Sequence, residues 1–375
     1  MREQECRWAI LGASGIARKN WRAIRDAGNA RLVAVASRDV DRAAAFIAEC
    51  QRDAAHGHPP EAVGGYEAVL AREDVDAVYL PLPTGIRGDW AVRAAQAGKH
   101  VLVEKPAGTN VADVERIIAA CRTANVQFMD GVMFLHGLRL PRIRASLDGA
   151  DGGGGIGAIR RIASQFSFRA PEDFLAGNIR MHSDLEPLGC LGDLGWYPIA
   201  FALWALEPRL PAAVTGRMLR AAAAPGGREP VPVEFSGEMI FRGEPDVSVS
   251  FFCSFLTELQ QWTHVSGTHG SVWVDDFVLP SFGPETGFTA SHPVYAIEGC
   301  DFCMERHDRD VRVAEYASGH PTAQEAAMIR SFSSLVLSGT PDPRWPAATL
   351  ATQRVMMACL ESARRGGAEV AVSGG

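Results

Sequence analysis

Between residues 7 and 129 short apolar runs alternate with longer amphipathic segments. The runs at 7–11, 31–36, 75–80, 100–103 and 126–129 have the length of strands, and the segments at 16–27, 41–51, 87–97 and 111–124 carry helical periodicity. Gly28-Asn29 stops the first helix, and Gly98 stands where a helix C-cap is expected. Strands and helices joined by short links in this order predict a parallel sheet with right-handed crossovers.

After Gly137 the rhythm changes. Asp151-Gly152-Gly153-Gly154-Gly155 has no strand before it and no helix after it, so it is a loop rather than a phosphate cradle. Strands are predicted at 159–168, 214–219, 235–241, 247–255, 263–267 and 271–278. In the fourth, Val247, Val249, Phe251, Cys253 and Phe255 share one face and Ser248, Ser250 and Ser254 the other, the period-2 alternation of an antiparallel strand. Thr268-His269-Gly270 makes a tight hairpin link, and helices at 322–337 and 347–364 close the chain. The expected fold is α/β: a dinucleotide-binding domain over 1–133, then an α+β domain over 134–375 with a large, mainly antiparallel open sheet.

Composition narrows the function classes. The 375 residues are 47% apolar and 22% charged, which supplies enough apolar surface to offset chain entropy and excludes disorder as the main state. A net charge of −7 removes the electrostatic argument for nucleic acid as a partner. The longest apolar stretch, 194–206, is too short to span a membrane, and residues 1–7 lack the basic-then-apolar layout of a secretory signal. Eight scattered cysteines fit a reducing cytosol, so a cytoplasmic location is expected. Cys300-Asp301-Phe302-Cys303 is a lone CxxC, read as two thiols near a strand end, and no metal is expected.

The chemistry begins at Gly12-Ala13-Ser14-Gly15-Ile16-Ala17, between the first strand and the first helix. It fits G-x-G-x-x-A with Ser14 at the second glycine: a tight turn, a small residue where backbone meets pyrophosphate, and close helix–strand packing at the end. The helix N-terminus offers free N–H groups to the anion. The second strand ends Ala36-Ser37-Arg38. A hydroxyl and a guanidinium suit a 2′-phosphate, which favours NADP, while Asp39 keeps NAD open. Glu104-Lys105-Pro106 ends a strand at the edge where ligands bind in such sheets, although spacing alone favours a surface Lys105–Glu104 pair. Asp193 and Tyr197 fall four apart at the start of a helical segment, which puts carboxylate and phenol on one side of a turn. A helix cap and a buried phenol are the structural alternative.

Residues 8–17, the run Pro81-Leu82-Pro83-Thr84, the triplet Glu104-Lys105-Pro106 and Asp193-Leu194-Gly195-Trp196-Tyr197 occur in an order and spacing that resembles the Gfo/Idh/MocA oxidoreductases over nearly the whole chain. Tyr197 stands where inositol dehydrogenases carry His. With Met133-Phe134-Leu135-His136 and Asn178-Ile179-Arg180, it resembles the branch of dihydrodiol and xylose dehydrogenases and ketosugar reductases. The resemblance implies a Rossmann domain, a substrate domain and a site in the cleft between them. It implies that Lys105 holds the nicotinamide ribose and polarises the reacting oxygen, that Tyr197 moves the proton, and that Asp193 bonds a substrate hydroxyl. The loop from Pro81 to Thr84 and Glu104 are expected beside the cofactor.

Relatives often carry His three residues after position 84, where this chain has Arg87. Arg87 is therefore expected either to meet an anionic substrate group or to point to solvent. Arg180 and Asn178 are further substrate candidates, with a plain salt bridge as the alternative for Arg180. His136 is expected to line the pocket or to be a hydrogen-bonded structural residue. The whole predicts an NADP-dependent (NAD possible) oxidoreductase acting on a secondary hydroxyl or ketone of a sugar-like or cyclic polyol substrate. It is expected to work as a homodimer or homotetramer joined through the open sheet. An NAD-assisted glycoside hydrolase or lyase, and a non-catalytic redox sensor, are the rival classes.

Overall fold

The computed structural model describes residues 5–223 and 229–372. The chain divides into two compact units: 1–137 with 182–187 and 318–353, and 138–181 with 188–317 and 354–375. The sequence reading put everything after 133 in one domain. Two later segments instead return to the first unit, and the helix Arg344–Arg364 begins in one unit and ends in the other.

The first unit is built on six parallel strands: β1 (Cys6–Leu11), β2 (Ala30–Ser37), β3 (Glu61–Gly64), β4 (Ala77–Leu80), β5 (His100–Val103) and β6 (Phe128–Asp130). Their order is β3-β2-β1-β4-β5-β6, the doubly wound arrangement that reverses direction beside β1. The crossovers are α1 (Gly15–Asp26), α2 (Val40–Asp53), α3 (Tyr66–Leu70), α4 (Thr84–Gln96) and α5 (Val111–Thr123). Central strands such as β4 are buried at every residue because helices cover both faces. The helix Gln324–Ser338 adds to this core: Trp8 packs against Phe332 with ring centres 5.0 Å apart, and its indole N–H donates to the Ser333 hydroxyl at 2.9 Å. Five of the six strands match predicted runs. β3 was passed over because Glu61-Ala62-Val63-Gly64 holds only two apolar residues, which suffices for an edge strand paired on one side to β2.

The second unit opens with α6 (Arg139–Asp148) and carries a nine-stranded mixed sheet. Its strands are β7 (Ile159–Ser167), β8 (Ala213–Ala222), β9 (Val231–Phe241), β10 (Val247–Ser254), β11 (Gln260–Gly267), β12 (Ser271–Val274) and β13 (Thr286–Ser291). A separate hairpin of β14 (Val294–Glu298) and β15 (Asp301–Glu305) follows, then β16 (Asp308–Val313) and β17 (Val370–Ala371) rejoin the large sheet. Among the described residues, the strands β7 and β10 pair in parallel and the other strand pairs of this sheet are antiparallel. Val247, Val249, Phe251 and Cys253 of β10 face the core, while Ser248, Ser250 and Phe252 are half-buried on the opposite face. That face also holds Trp262 and Trp273, stacked at 5.0 Å. Helices of this unit include α6, α7 (Glu172–Gly177), α8 (Trp196–Ala205) and the end of the helix Arg344–Arg364.

Candidate active site

Gly12 ends β1 at φ +127°, and its N–H donates to Ala36 O at 2.9 Å, tying the turn to β2. A Cβ there would stand 3.0 Å from Leu82 Cδ2, so conformation and crowding both require glycine. Ser14 occupies the N-cap position of α1 with extended backbone, yet its hydroxyl makes no cap bond. That Oγ is buried without a hydrogen-bond partner. Leaving a buried hydroxyl unpaired costs about 1–3 kcal/mol. A phosphate oxygen at the helix N-terminus would remove that cost, so the turn fits a dinucleotide pyrophosphate. Nothing lies within 4 Å of where a Gly15 Cβ would be, which leaves room in front of the loop. Ala17, fully buried, brings the helix close to the sheet, while Ile16 is exposed.

At the end of β2, Ser37 is buried and its carbonyl accepts from Gly65 N at 2.8 Å. Arg38 is exposed. The Asp39 carboxylate, which in an NAD site would take the ribose hydroxyl, instead accepts from Asp41 N at 2.9 Å as the cap of α2. Arg42, one turn into that helix, donates from Nη2 to Ala13 O at 3.3 Å, above the glycine-rich turn. Burial raises the Tyr66 pKa, and the charges of Arg38 and Arg42 oppose that rise, so both guanidiniums stand near this phenol. Arg42 was not singled out from the sequence; its signal is the spacing of four from Arg38.

Pro81-Leu82-Pro83 leads from β4 into α4, whose first residue, Thr84, is buried. Thr84 donates to Glu186 from its backbone N at 3.0 Å and from its hydroxyl at 2.6 Å. Gly85 N donates to Leu185 O at 2.8 Å, and a Cβ on Gly85 would come within 2.1 Å of Asp184 O. Residues 182–187 thus lie directly on this turn, a contact that sequence reasoning did not foresee.

Arg87 corrects an expectation. It neither meets solvent nor offers its charge to an open pocket; it is 3% exposed and faces into the first unit. Its Nε donates to Leu82 O at 2.9 Å, and its Nη1 to Glu104 O at 2.8 Å, to Thr84 Oγ1 at 3.3 Å and, at short range, to Pro106 O. Desolvation lowers its pKa, opposed by the nearby Glu186 and Glu104 carboxylates. The signal was present: Arg87, Ala91, Ala94 and Ala95 share the buried face of α4.

Glu104 follows β5 and is buried; Tyr79 donates to its Oε1 at short range, and Lys105 N donates to its Oε2 at 3.3 Å. Tyr79 is raised well above its usual pKa, by burial first and by Glu104 second. Glu104 thus takes bonds from Tyr79 and the Lys105 backbone, and Lys105, half-buried, stands just past the carboxyl end of β5. His136 stacks flat on Trp345 at 4.5 Å. Burial drives its pKa down to about 3, and its Nε2 is buried with no hydrogen-bond partner. It is a neutral ring held by stacking, not the hydrogen-bonded histidine that was one alternative.

In the second unit the segment Leu191–Gly195 is a π-turn that runs into α8. The sequence predicted an ordinary helical start; a wider turn of this kind is frequent at functional sites. It fits because Gly195 has no side chain: a Cβ there would lie 2.9 Å from Leu191 Cδ1 and 3.3 Å from Cys253 Sγ. Tyr197 is 6% exposed and meets the edge of Phe166 at 5.5 Å. Asp193 accepts from Arg180 Nε at 2.7 Å. Asn178 Oδ1 accepts from Arg180 N at 3.1 Å. Three separately predicted residues thus form one polar group. Among the described residues no cluster of three His, Cys, Asp or Glu side chains could hold a metal ion, and Cys300 is exposed near the turn of the β14–β15 hairpin.

Comparison with known proteins gives this arrangement its family. Residues 6–132 match the oxidoreductase family with an NAD-binding Rossmann fold, and residues 152–273 match the GFO/IDH/MocA C-terminal domain. The chain is 32% identical over 330 residues to a dTDP-3,4-didehydro-2,6-dideoxy-alpha-D-glucose 3-reductase of Streptomyces violaceoruber, covering 86% of this chain and 87% of the relative. It is 36% identical to D-xylose 1-dehydrogenase (NADP(+)) 2 of Haloferax volcanii over 52% of this chain and 55% of that one. A crystal structure of a 3-ketoreductase from Actinomadura kijaniata with NADP and TDP-benzene superposes with a TM-score of 0.75 at 27% identity, covering 96% and 98% of the two chains. The chain belongs to the Gfo/Idh/MocA oxidoreductase family.

Proposed function

We propose that this chain is an NADP-dependent ketoreductase that reduces, or in reverse oxidises, one carbon of a sugar-like substrate. When bound, the dinucleotide supplies or takes up the hydride, which no side chain here can carry. The observation that carries the reading is the turn at Ser14, with a buried unpaired hydroxyl at a helix N-terminus and open space at Gly15. Ser14 and the first-turn amides of α1 would hold the pyrophosphate. Arg38 and Arg42 would grip a 2′-phosphate beside Ser37, while Asp39 is engaged as a helix cap.

Lys105 would hold the nicotinamide ribose and place its ammonium on the reacting oxygen. Tyr197 would hold the proton. A free phenol has a pKa of about 10, so near neutral pH it is protonated and suited to donate to the oxygen as reduction proceeds. Asp193, oriented by Arg180 and Asn178, would accept a bond from a substrate hydroxyl. The match to ketosugar reductases over most of both chains supports a ketosugar, with a nucleotide-linked 3-ketosugar as the first candidate.

The half-buried sheet face with Phe252, Trp262 and Trp273 would serve a homodimer or homotetramer. A cytoplasmic setting suits the eight free cysteines. The test is a thermal-shift screen with NADP(H) and NAD(H), followed by loss of reduced-nicotinamide absorbance with nucleotide-linked and free ketosugars. NADPH should raise the melting temperature more than NADH at equal concentration, because a ligand of the folded state stabilises it more the tighter it binds. No shift with either dinucleotide would end the reading. Turnover without net nicotinamide consumption would mark a hydrolase or lyase instead.

A further inference from the structure

We infer that Arg87 is a positioning residue for Lys105: its guanidinium fixes the backbone on both sides of that lysine. The contacts are specific to this placement. Glu104 O precedes Lys105 and Pro106 O follows it by one residue, and Arg87 Nη1 donates to both. From the opposite side of the guanidinium, Nε donates to Leu82 O at 2.9 Å. One side chain therefore ties the loop after β4 to the loop after β5. Lys105 is the only residue between the two bridged carbonyls of the second loop, so its Cα is held from either flank.

The guanidinium is suited to this task and an ammonium is not. A planar fork presents five donors in fixed directions, whereas lysine offers a point charge on a flexible stem. A buried arginine would be costly in this place without compensation. Here the carbonyls satisfy its donors, and Glu104 and Glu186 stand close enough to favour its charge. Thr84 links the arrangement to Glu186. A residue that only filled space at this point of α4 would be apolar, like Ala91 and Ala94 on the same face.

The inference rests on the reading of Lys105 as the group that touches the reacting oxygen, and the experiment separates the two. Wild type, Arg87→Lys, Arg87→Ala, Lys105→Ala and the Arg87→Lys/Lys105→Ala double variant are compared for melting temperature, NADPH affinity and kcat per folded molecule. Arg87→Lys should bind NADPH nearly as wild type does and lose kcat by up to ~10²-fold, the scale of a small displacement of a reacting group. In the Lys105→Ala background the same change should cost almost nothing, because the two residues act through one contact. Millimolar guanidinium ion should restore part of the kcat of Arg87→Ala.

A lowered melting temperature with wild-type kcat per folded molecule would overturn the inference and leave Arg87 a plain stabiliser. So would an undiminished Arg87→Lys effect in the double variant. Should Arg87→Ala fail to fold, Arg87→Lys carries the cycle. If Arg87→Lys also fails to fold, Arg87 is needed for folding itself and the inference is overturned. Wild-type activity in Lys105→Ala would instead remove the role of Lys105 itself.

Discussion

The two units solve the problem of presenting chemistry in opposite ways. In the first, a parallel sheet is buried on both faces, and only the carboxyl ends of its strands are available. Gly12, Pro81 and Glu104 follow β1, β4 and β5 at such ends, and Ser37 is the last residue of β2. Their contribution is largely backbone: a positive φ, free amides and bridged carbonyls. In the second, the sheet alternates between buried and half-buried positions, and the candidate chemistry comes from side chains in a π-turn and a short segment near 178–180. Strand ends fix a cofactor common to many reactions. A turn and a loop can vary with the substrate while the sheet below them stays the same.

The largest effect that would break this contrast is at Tyr197. Tyr197→Phe keeps the ring against Phe166 and deletes only the hydroxyl. If the second unit supplies the proton, kcat should fall by ~10²–10⁴-fold with little change in melting temperature. Lys105→Ala should cost a comparable factor but divide it between NADPH binding and turnover. Since both would act on one oxygen, the double variant should lose much less than the product of the two. Steady-state kinetics of the four proteins on an active ketosugar is the measurement. Full activity in Tyr197→Phe would make the second unit a substrate cradle with no proton to move.

The contrast also explains what the sequence made legible. The strand 100–103 is legible to the residue because Gly98 and Pro106 bracket the apolar run Val101-Leu102-Val103. The glycine-rich turn was legible because tight geometry allows few residue types. In the second unit α6 is not among the predicted elements; its Pro141 sits in the first turn, where a missing N–H costs nothing. The β14–β15 hairpin was missed because Val294, Tyr295, Ile297, Phe302 and Met304 are all exposed, so no buried face imposes a period. Of the site residues, Asn178, Arg180 and Asp193 were named one by one. Their union was invisible, since two segments 13 residues apart meet only in the fold. Arg87 was read as a ligand group because a charge suggests solvent or substrate, although its helical neighbours already marked that face as interior.

A smaller effect sharpens the cofactor side of the comparison. Arg38→Ala should weaken NADPH by roughly 1.5–3 kcal/mol, the range of a lost charge-assisted hydrogen bond, and leave NADH nearly unchanged. Arg42→Ala should act in the same direction, because both guanidiniums stand near Tyr66. Titration of each variant with both dinucleotides reads this out. Equal losses for NADH and NADPH would mean that neither arginine reads the 2′-phosphate.

The smallest effect is the most discriminating for the β2–α2 corner, because it separates a stabilising role from a binding one at a single carboxylate. Asp39 Oδ1 accepts from Asp41 N at 2.9 Å and sits at the N-terminus of α2, where a negative charge is also favoured by the helix dipole. Asp39→Ala should therefore lower stability by about 1 kcal/mol, the usual cost of a lost N-cap. Its effect on dinucleotide choice should be slight, since the carboxylate is already turned onto its own helix. Removing a negative charge beside Arg38 can only help a 2′-phosphate, so any change in NADPH affinity should be a gain. Asp39→Asn is the control: it keeps a capping oxygen and loses the charge, so stability should largely return. Denaturant unfolding and NADH titration of both variants decide the matter. A large loss of NADH affinity in Asp39→Ala, with stability intact, would mean that the carboxylate leaves its cap to take a ribose hydroxyl, and the preference for NADP would then fall with it.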